Sequence, residues 1–169
     1  MDMQKFINKK RYSLAPEVRK EITATLKQTV AELFRLLAGI RNVHRRSRGA
    51  ASAQLDVFAG QIMGHIDYVS ERATAIGIPS ARHKSASGTS IASLLHDYKA
   101  TTDADSVCTG ENLADLHHAA SRNVRNAVRH LINAQDFGSA DMLADVLRTL
   151  NRHTPLLCSR GNHKALMMN

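Results

Sequence analysis

The sequence predicts an all-α protein, a bundle of four long amphipathic helices with one long crossover. Three observations predict it. Ala and Leu dominate the 169 residues and β-branched runs are short, which favours helix over sheet. Large apolar residues recur in steps of three and four along four long stretches, the stripe of a helix with one buried face. The second and third stretches are separated by residues 78–107. That span is too long for a simple turn and suits a connection along the length of a bundle.

Residues 1–13 form a polar arm in which Lys5, Lys9, Lys10 and Arg11 face only Asp2. The arm reads either as a disordered terminus or as a tether for DNA phosphates, which needs positive charge and reach but no fixed shape. The bundle is expected over residues 14–159 and a flexible tail over 160–169. Pro16 opens the first helix, with Glu17 in its first turn. This helix is expected to reach Val43, on a stripe of Val18, Ile22, Leu26, Val30, Leu33, Leu37 and Ile40. The next stretch, NVHRRSRGAAS, holds the densest basic cluster, His44, Arg45, Arg46 and Arg48. It is a solvated turn between antiparallel helices or an outward polyanion contact.

The second helix, over Leu55–Gly77, organises the chain. Leu55, Phe58, Ile62, Ile66, Val69, Ala73 and Ile76 make its apolar stripe. Asp56, Asp67 and Glu71 fall within roughly 60° of arc on a separate face, at about 100° per residue. Gly60 and Met63 share that sector. The ridge is a solvated face or a metal site, since hard cations and iron take carboxylate oxygens and imidazoles. Gly77 and Pro79 stop the helix.

Residues 78–107 read as surface loop with a short helix over Ile91–Tyr98. The third helix spans about Thr109 to Gln135 on Leu113, Leu116, Ala120, Val124, Ala127, Val128 and Leu131. Arg122, Arg125 and Arg129 form a row on an adjacent face, open to solvent or paired with acids of another subunit. His117 and His118 point about 100° apart and cannot chelate one ion together. Gly138 should break the chain and Ser139 cap the fourth helix, which buries Met142, Leu143, Val146, Leu147 and Leu150. Pro155 should kink or end it.

The net charge of +8 favours polyanionic partners, nucleic acid first. Cys108 and Cys158 show no zinc-site spacing and read as free buried thiols in a reducing compartment. The N-terminus lacks the apolar segment of a signal peptide. No run approaches the roughly 18 apolar residues of a membrane span, so no membrane association is expected.

HIDYVSERATAIG resembles the second-helix signature of the Dps mini-ferritins, a D-x-x-x-E pair before R-A and a closing Gly. Asp67, Glu71, Arg72, Ala73 and Gly77 fit it, and Asp56 stands where that family places another acidic iron ligand. ADMLADVLRTL, from Ala140 to Leu150, is similar to the start of the family's fourth helix. The resemblance implies a ferritin-like bundle with a short extra helix in the crossover. It also implies twelve copies in a hollow shell in the cytoplasm, associated with the nucleoid. It makes Asp56, Asp67 and Glu71 iron ligands and Asp141 and Asp145 the lining of pores that admit cations. The implied activity is peroxide-driven oxidation of Fe(II) with storage of the product, together with sequence-independent binding of DNA through a basic arm, here Lys5, Lys9, Lys10 and Arg11. Arg45, Arg46 and Arg48 of the turn join them as DNA contacts on the ground of their charge. The family draws two His from the first and second helices of a neighbouring subunit. Here Ile40 and Ser52 stand in those places, with His44 one turn beyond Ile40. Weakened ferroxidase activity is therefore expected. The alternative is a DNA-compacting shell protein without that activity.

Overall fold

The computed structural model describes residues 15–77 and 112–166, with side chains as far as Leu157. Four helices make up these residues: α1 (Pro16–Arg45), α2 (Ala50–Gly77), α3 (Leu113–Asn133) and α4 (Phe137–Leu166). The arm with Lys5, Lys9, Lys10 and Arg11, the expected helix over Ile91–Tyr98, Cys108 and the Cys158 side chain lie outside what is described.

α1 packs against α2 and α3, and α4 against the same two helices. Each adjacent pair is antiparallel. Gly39, late in α1, meets Leu113 and Leu116 at the start of α3. Arg72, late in α2, bonds to Asp136 and Ser139 at the start of α4. Gly77 lies beside Thr23, early in α1. The end of α2 and the start of α3 therefore sit at opposite ends of the bundle, and the chain between them links the two ends. This is the one-crossover topology the sequence predicts.

The apolar stripes meet in one core. Ile22, Leu26, Leu33, Ile40, Leu55, Phe58, Ile62, Leu131, Leu143 and Leu150 are wholly buried. Val18, Ile76, Val128 and Leu147 pack on its edge. Gly39 allows α1 and α3 to approach closely, since a Cβ there would stand 2.5 Å from Leu116 Cδ1.

Three boundaries differ from the sequence reading. α1 continues to Arg45 and α2 begins at Ala50, so His44 and Arg45 are helical and only Arg46 to Gly49 form the turn. Gly49 takes φ 67 there, and its carbonyl accepts from Ser52 N and Ala53 N to start α2. At the other end of the bundle, α3 closes in a Schellman turn. Asp136 N donates to Leu131 O and Gln135 N to Ile132 O, each at 3.0 Å. Gln135 takes the left-handed position, φ 59, which sequence reasoning would look for at a glycine. The chain thus reverses before Gly138, and Asp136 rather than Ser139 caps α4, its Oδ1 accepting from Ser139 N. Finally, α4 does not end at Pro155 but runs on to Leu166. Pro155 has no N–H to give the Asn151 carbonyl. One residue earlier, the Leu150 carbonyl gains a side-chain donor, His117 Nε2 at 2.9 Å.

Candidate functional site

The outer face of α2 carries the predicted carboxylates. Asp56, Asp67 and Glu71 are all exposed, because the stripe from Leu55 to Ala73 turns the opposite face of the helix into the core. Asp67 and Glu71 are one turn apart, about 6 Å along the axis at 1.5 Å per residue. Asp56 lies about 16 Å further back by the same measure. The three carboxylates therefore fall into two separate groups rather than one cluster. Among the described residues, no group of three or more His, Cys, Asp or Glu is placed to hold a metal ion.

The first group lies where α1 ends and α2 begins. His44 Nε2 lies 3.0 Å from Asp56 Oδ1 and 2.8 Å from Ser52 Oγ. Ile40 is wholly buried in the core, so position 40 does not face solvent at all. His44, one turn on, is half-buried and brings an imidazole to Asp56 across the helix pair. Sequence reasoning placed His44 in the basic cluster of the turn and one turn beyond Ile40, without pairing it with Ser52 or Asp56. The i to i+4 relation between Ser52 and Asp56 was the available signal that one imidazole could meet both. Asp67 and Glu71 make the second group, and nothing among the described residues bonds to either.

Between the two groups, Gly60 and Gly64 leave gaps in the helix face. A Cβ at Gly60 or Gly64 would meet nothing within 4 Å. Val57, Met63 and Tyr68 are 56%, 44% and 61% exposed. Arg41, from α1, donates to Met63 Sδ at 3.2 Å.

Just beyond Glu71, Arg72 turns the other way. Its Nη2 donates to Asp136 Oδ1 at 3.1 Å and its Nε to Ser139 Oγ at 3.0 Å. Asp136 is buried, with its Oδ2 unpartnered, so Arg72 supplies most of its compensation. Arg72 therefore pins α2 to the capped start of α4. Arg72→Ala should cost about 2 kcal/mol, less than a fully buried pair because the Arg72 side chain is 40% exposed. Asp136→Asn, which keeps an acceptor for Ser139 N, should cost less, and adding it to Arg72→Ala should restore part of the loss. Additive costs in a double-mutant unfolding cycle would contradict this coupling.

The other predicted residues are scattered. Arg45 closes α1, while Arg46 and Arg48 stand exposed in the turn. Asp141 and Asp145 are exposed at the start of α4, where Asp145 pairs with Arg148. His117 is buried and His118 exposed, their rings T-shaped with centroids 5.9 Å apart and planes at 75°. No helix among the described residues is long and apolar enough to cross a membrane.

No protein-family model matches the sequence, and no curated protein matches it. Solved structures do match. DpsC from Streptomyces coelicolor shares 22% identity over 88% of this chain and 87% of its own, with a TM-score of 0.61. That likeness is one of fold, and it agrees with the helix order, the antiparallel pairings and the end-to-end crossover. The chain has the all-α, ferritin-like four-helix bundle fold of a Dps protein.

Proposed function

We propose that this protein is a Dps-like mini-ferritin that binds, oxidises and stores iron and binds DNA without regard to sequence. The observation that carries the iron reading is the split of the ligands into two halves on one open helix face. An antiparallel pairing of α2 with a second copy that sets residue 56 opposite 67 also sets 52 opposite 71. Both pairs centre between Gln61 and Ile62, where exposed Gly60 and Gly64 let two helices approach closely. Exposed Val57, Met63 and Tyr68 give such a contact apolar area to bury. A two-fold pairing repeats itself, so it would build two identical sites. Each joins His44, Ser52 and Asp56 of one protomer to Asp67 and Glu71 of its partner. Carboxylates with an imidazole suit Fe(II).

Iron is the substrate in this reading. Two Fe(II) ions each give one electron to hydrogen peroxide, which takes two protons and leaves as two waters. The ferric product is then stored inside a shell of twelve copies, which Asp141 and Asp145 would supply with cations. With one imidazole in place of two, binding is weaker and oxidation slower than in proteins with both. The reaction removes both reagents of hydroxyl-radical formation, which accords with protection of nucleoid DNA in the cytoplasm.

Fe(II) oxidation by peroxide, followed optically beside light scattering, tests the reading. Asp67→Ala/Glu71→Ala should lose oxidation and keep the assembly. Gly64→Arg, which fills the open face, should lose both. His44→Ala should weaken Fe(II) binding by about tenfold or more, the scale of losing a group that supports a metal site. Native protein no faster than buffer would refute the enzyme reading and favour the compacting shell.

A further inference from the structure

Arg122, Arg125 and Arg129 have no bonding partner among the described residues. They stand exposed in one row on α3, at spacings of three and four. Like charges at those spacings destabilise a helix, and no acid lies three or four residues from any of them. The one acid of α3, Asp115, is in its first turn, about 10 Å from Arg122 along the axis. The nearest acids on α1 are engaged, Glu21 with His130 at 3.4 Å and Glu32 with Arg35 at 3.5 Å. The row is therefore an uncompensated cationic stripe. Beside it, Thr25, Gln28, Asn123, Asn126 and His130 line a polar cleft of about 250 Å³ between α1 and α3.

We propose that this face of α3 is a binding surface for the phosphate backbone of double-stranded nucleic acid. The inference rests on the DNA-binding part of the function proposed above and gives it a place in the folded bundle, apart from the arm and the turn. The row spans about 10 Å, close to three phosphate steps of one strand at about 3.4 Å each. Guanidinium forks match phosphate oxygens, and the side-chain amides of Gln28, Asn123 and Asn126 in the cleft add neutral donors beside them. The alternative occupant, the acidic face of a second copy, fits less well. Asp56 stands about 16 Å from Asp67 along α2, so at most two carboxylates could meet the row. The face also lacks the apolar centre of a protein interface. Ile132, at its margin, is the one large apolar residue of α3 that stands exposed.

The test is fluorescence anisotropy of the full-length protein with a random-sequence duplex over a range of salt. Native protein should bind with a steep salt dependence. Arg122→Gln/Arg125→Gln/Arg129→Gln should lose about three units of the slope of log K against log salt, near 0.9 per phosphate contact. The corresponding triple Lys variant should keep the slope. Lys20→Gln/Lys27→Gln/Arg152→Gln, which removes the same charge elsewhere, should change it little. Circular dichroism confirms that each variant is folded. Native-like slope in the triple Gln variant would overturn the α3 surface while leaving DNA binding intact. No binding by native protein would overturn both. A changed assembly size in the triple Gln variant alone would assign the row to contacts between copies instead.

Discussion

Truncating Phe58 to alanine should lower the stability of the fold by about 4 kcal/mol, the range found for emptying a buried aromatic site. Phe58 is wholly buried. It comes from the middle of the α2 stripe and reaches across to both helices of the other pair. Its ring stacks on His153 of α4, centroids 4.2 Å apart and planes at 20°, and meets His117 of α3 at 6.3 Å. Alanine removes the apolar area and both ring contacts. The space left is walled by imidazoles already held elsewhere, His153 by Gln61 and His117 by the Leu150 carbonyl, so it collapses poorly. The neighbouring Val57 is 56% exposed, and Val57→Ala should change almost nothing in the isolated bundle. Urea midpoints at fixed protomer concentration compare the two. Similar midpoints for both variants would place Phe58 outside the core.

The contrast between Phe58 and Val57 shows what was legible in the sequence. Period-3.6 patterning sorts a helix into a buried stripe and an open face, and it did so for all four helices, because each stripe is long and broken by few polar residues. Boundaries were less legible. Gln135 ends α3 in a left-handed turn without the glycine that announces one, and Asp136 caps α4 although Ser139 is the more familiar cap residue and stands three positions on. Pro155 was read from its local effect on the ladder, while the packing of α4 against α2 and α3 decides whether the helix continues. The carboxylates were legible as residues and as a face. Their separation into two groups along the helix was not, because angular grouping on a helical wheel ignores rise along the axis. His44 shows a further limit, since its meeting with Ser52 and Asp56 depends on how α1 and α2 pack.

Acidification should destabilise the bundle steeply below about pH 6.5, because three histidines are held neutral inside it. His117 is 3% exposed. Burial pushes its pKa down, more than the Leu150 carbonyl bond pushes it up, and the neighbouring His118 lowers it further. His65, against Thr149 Oγ1 at 2.8 Å, is lowered by burial. His153 is lowered by burial and then by the charges of Arg152 and His117. Every charged or titratable neighbour acting on the three is thus a base, and no carboxylate offsets them. The unfolded chain, whose histidines titrate near 6.5, binds protons that the folded chain refuses. Stability then rises with pH. The stabilisation is complete above the unfolded pKa and is lost as pH falls below it, until the folded pKa values are reached. His65 and His153 are only half-buried and are screened by water, so we expect the slope of one to two protons, roughly 2 kcal/mol per pH unit. Urea unfolding from pH 8 to pH 5 reads this slope directly. His117→Gln keeps an N–H for the Leu150 carbonyl but cannot titrate, so it should flatten the profile while leaving stability at pH 8 close to native. An unchanged slope in that variant would mean that the buried imidazole on α3 does not carry the acid sensitivity of the fold.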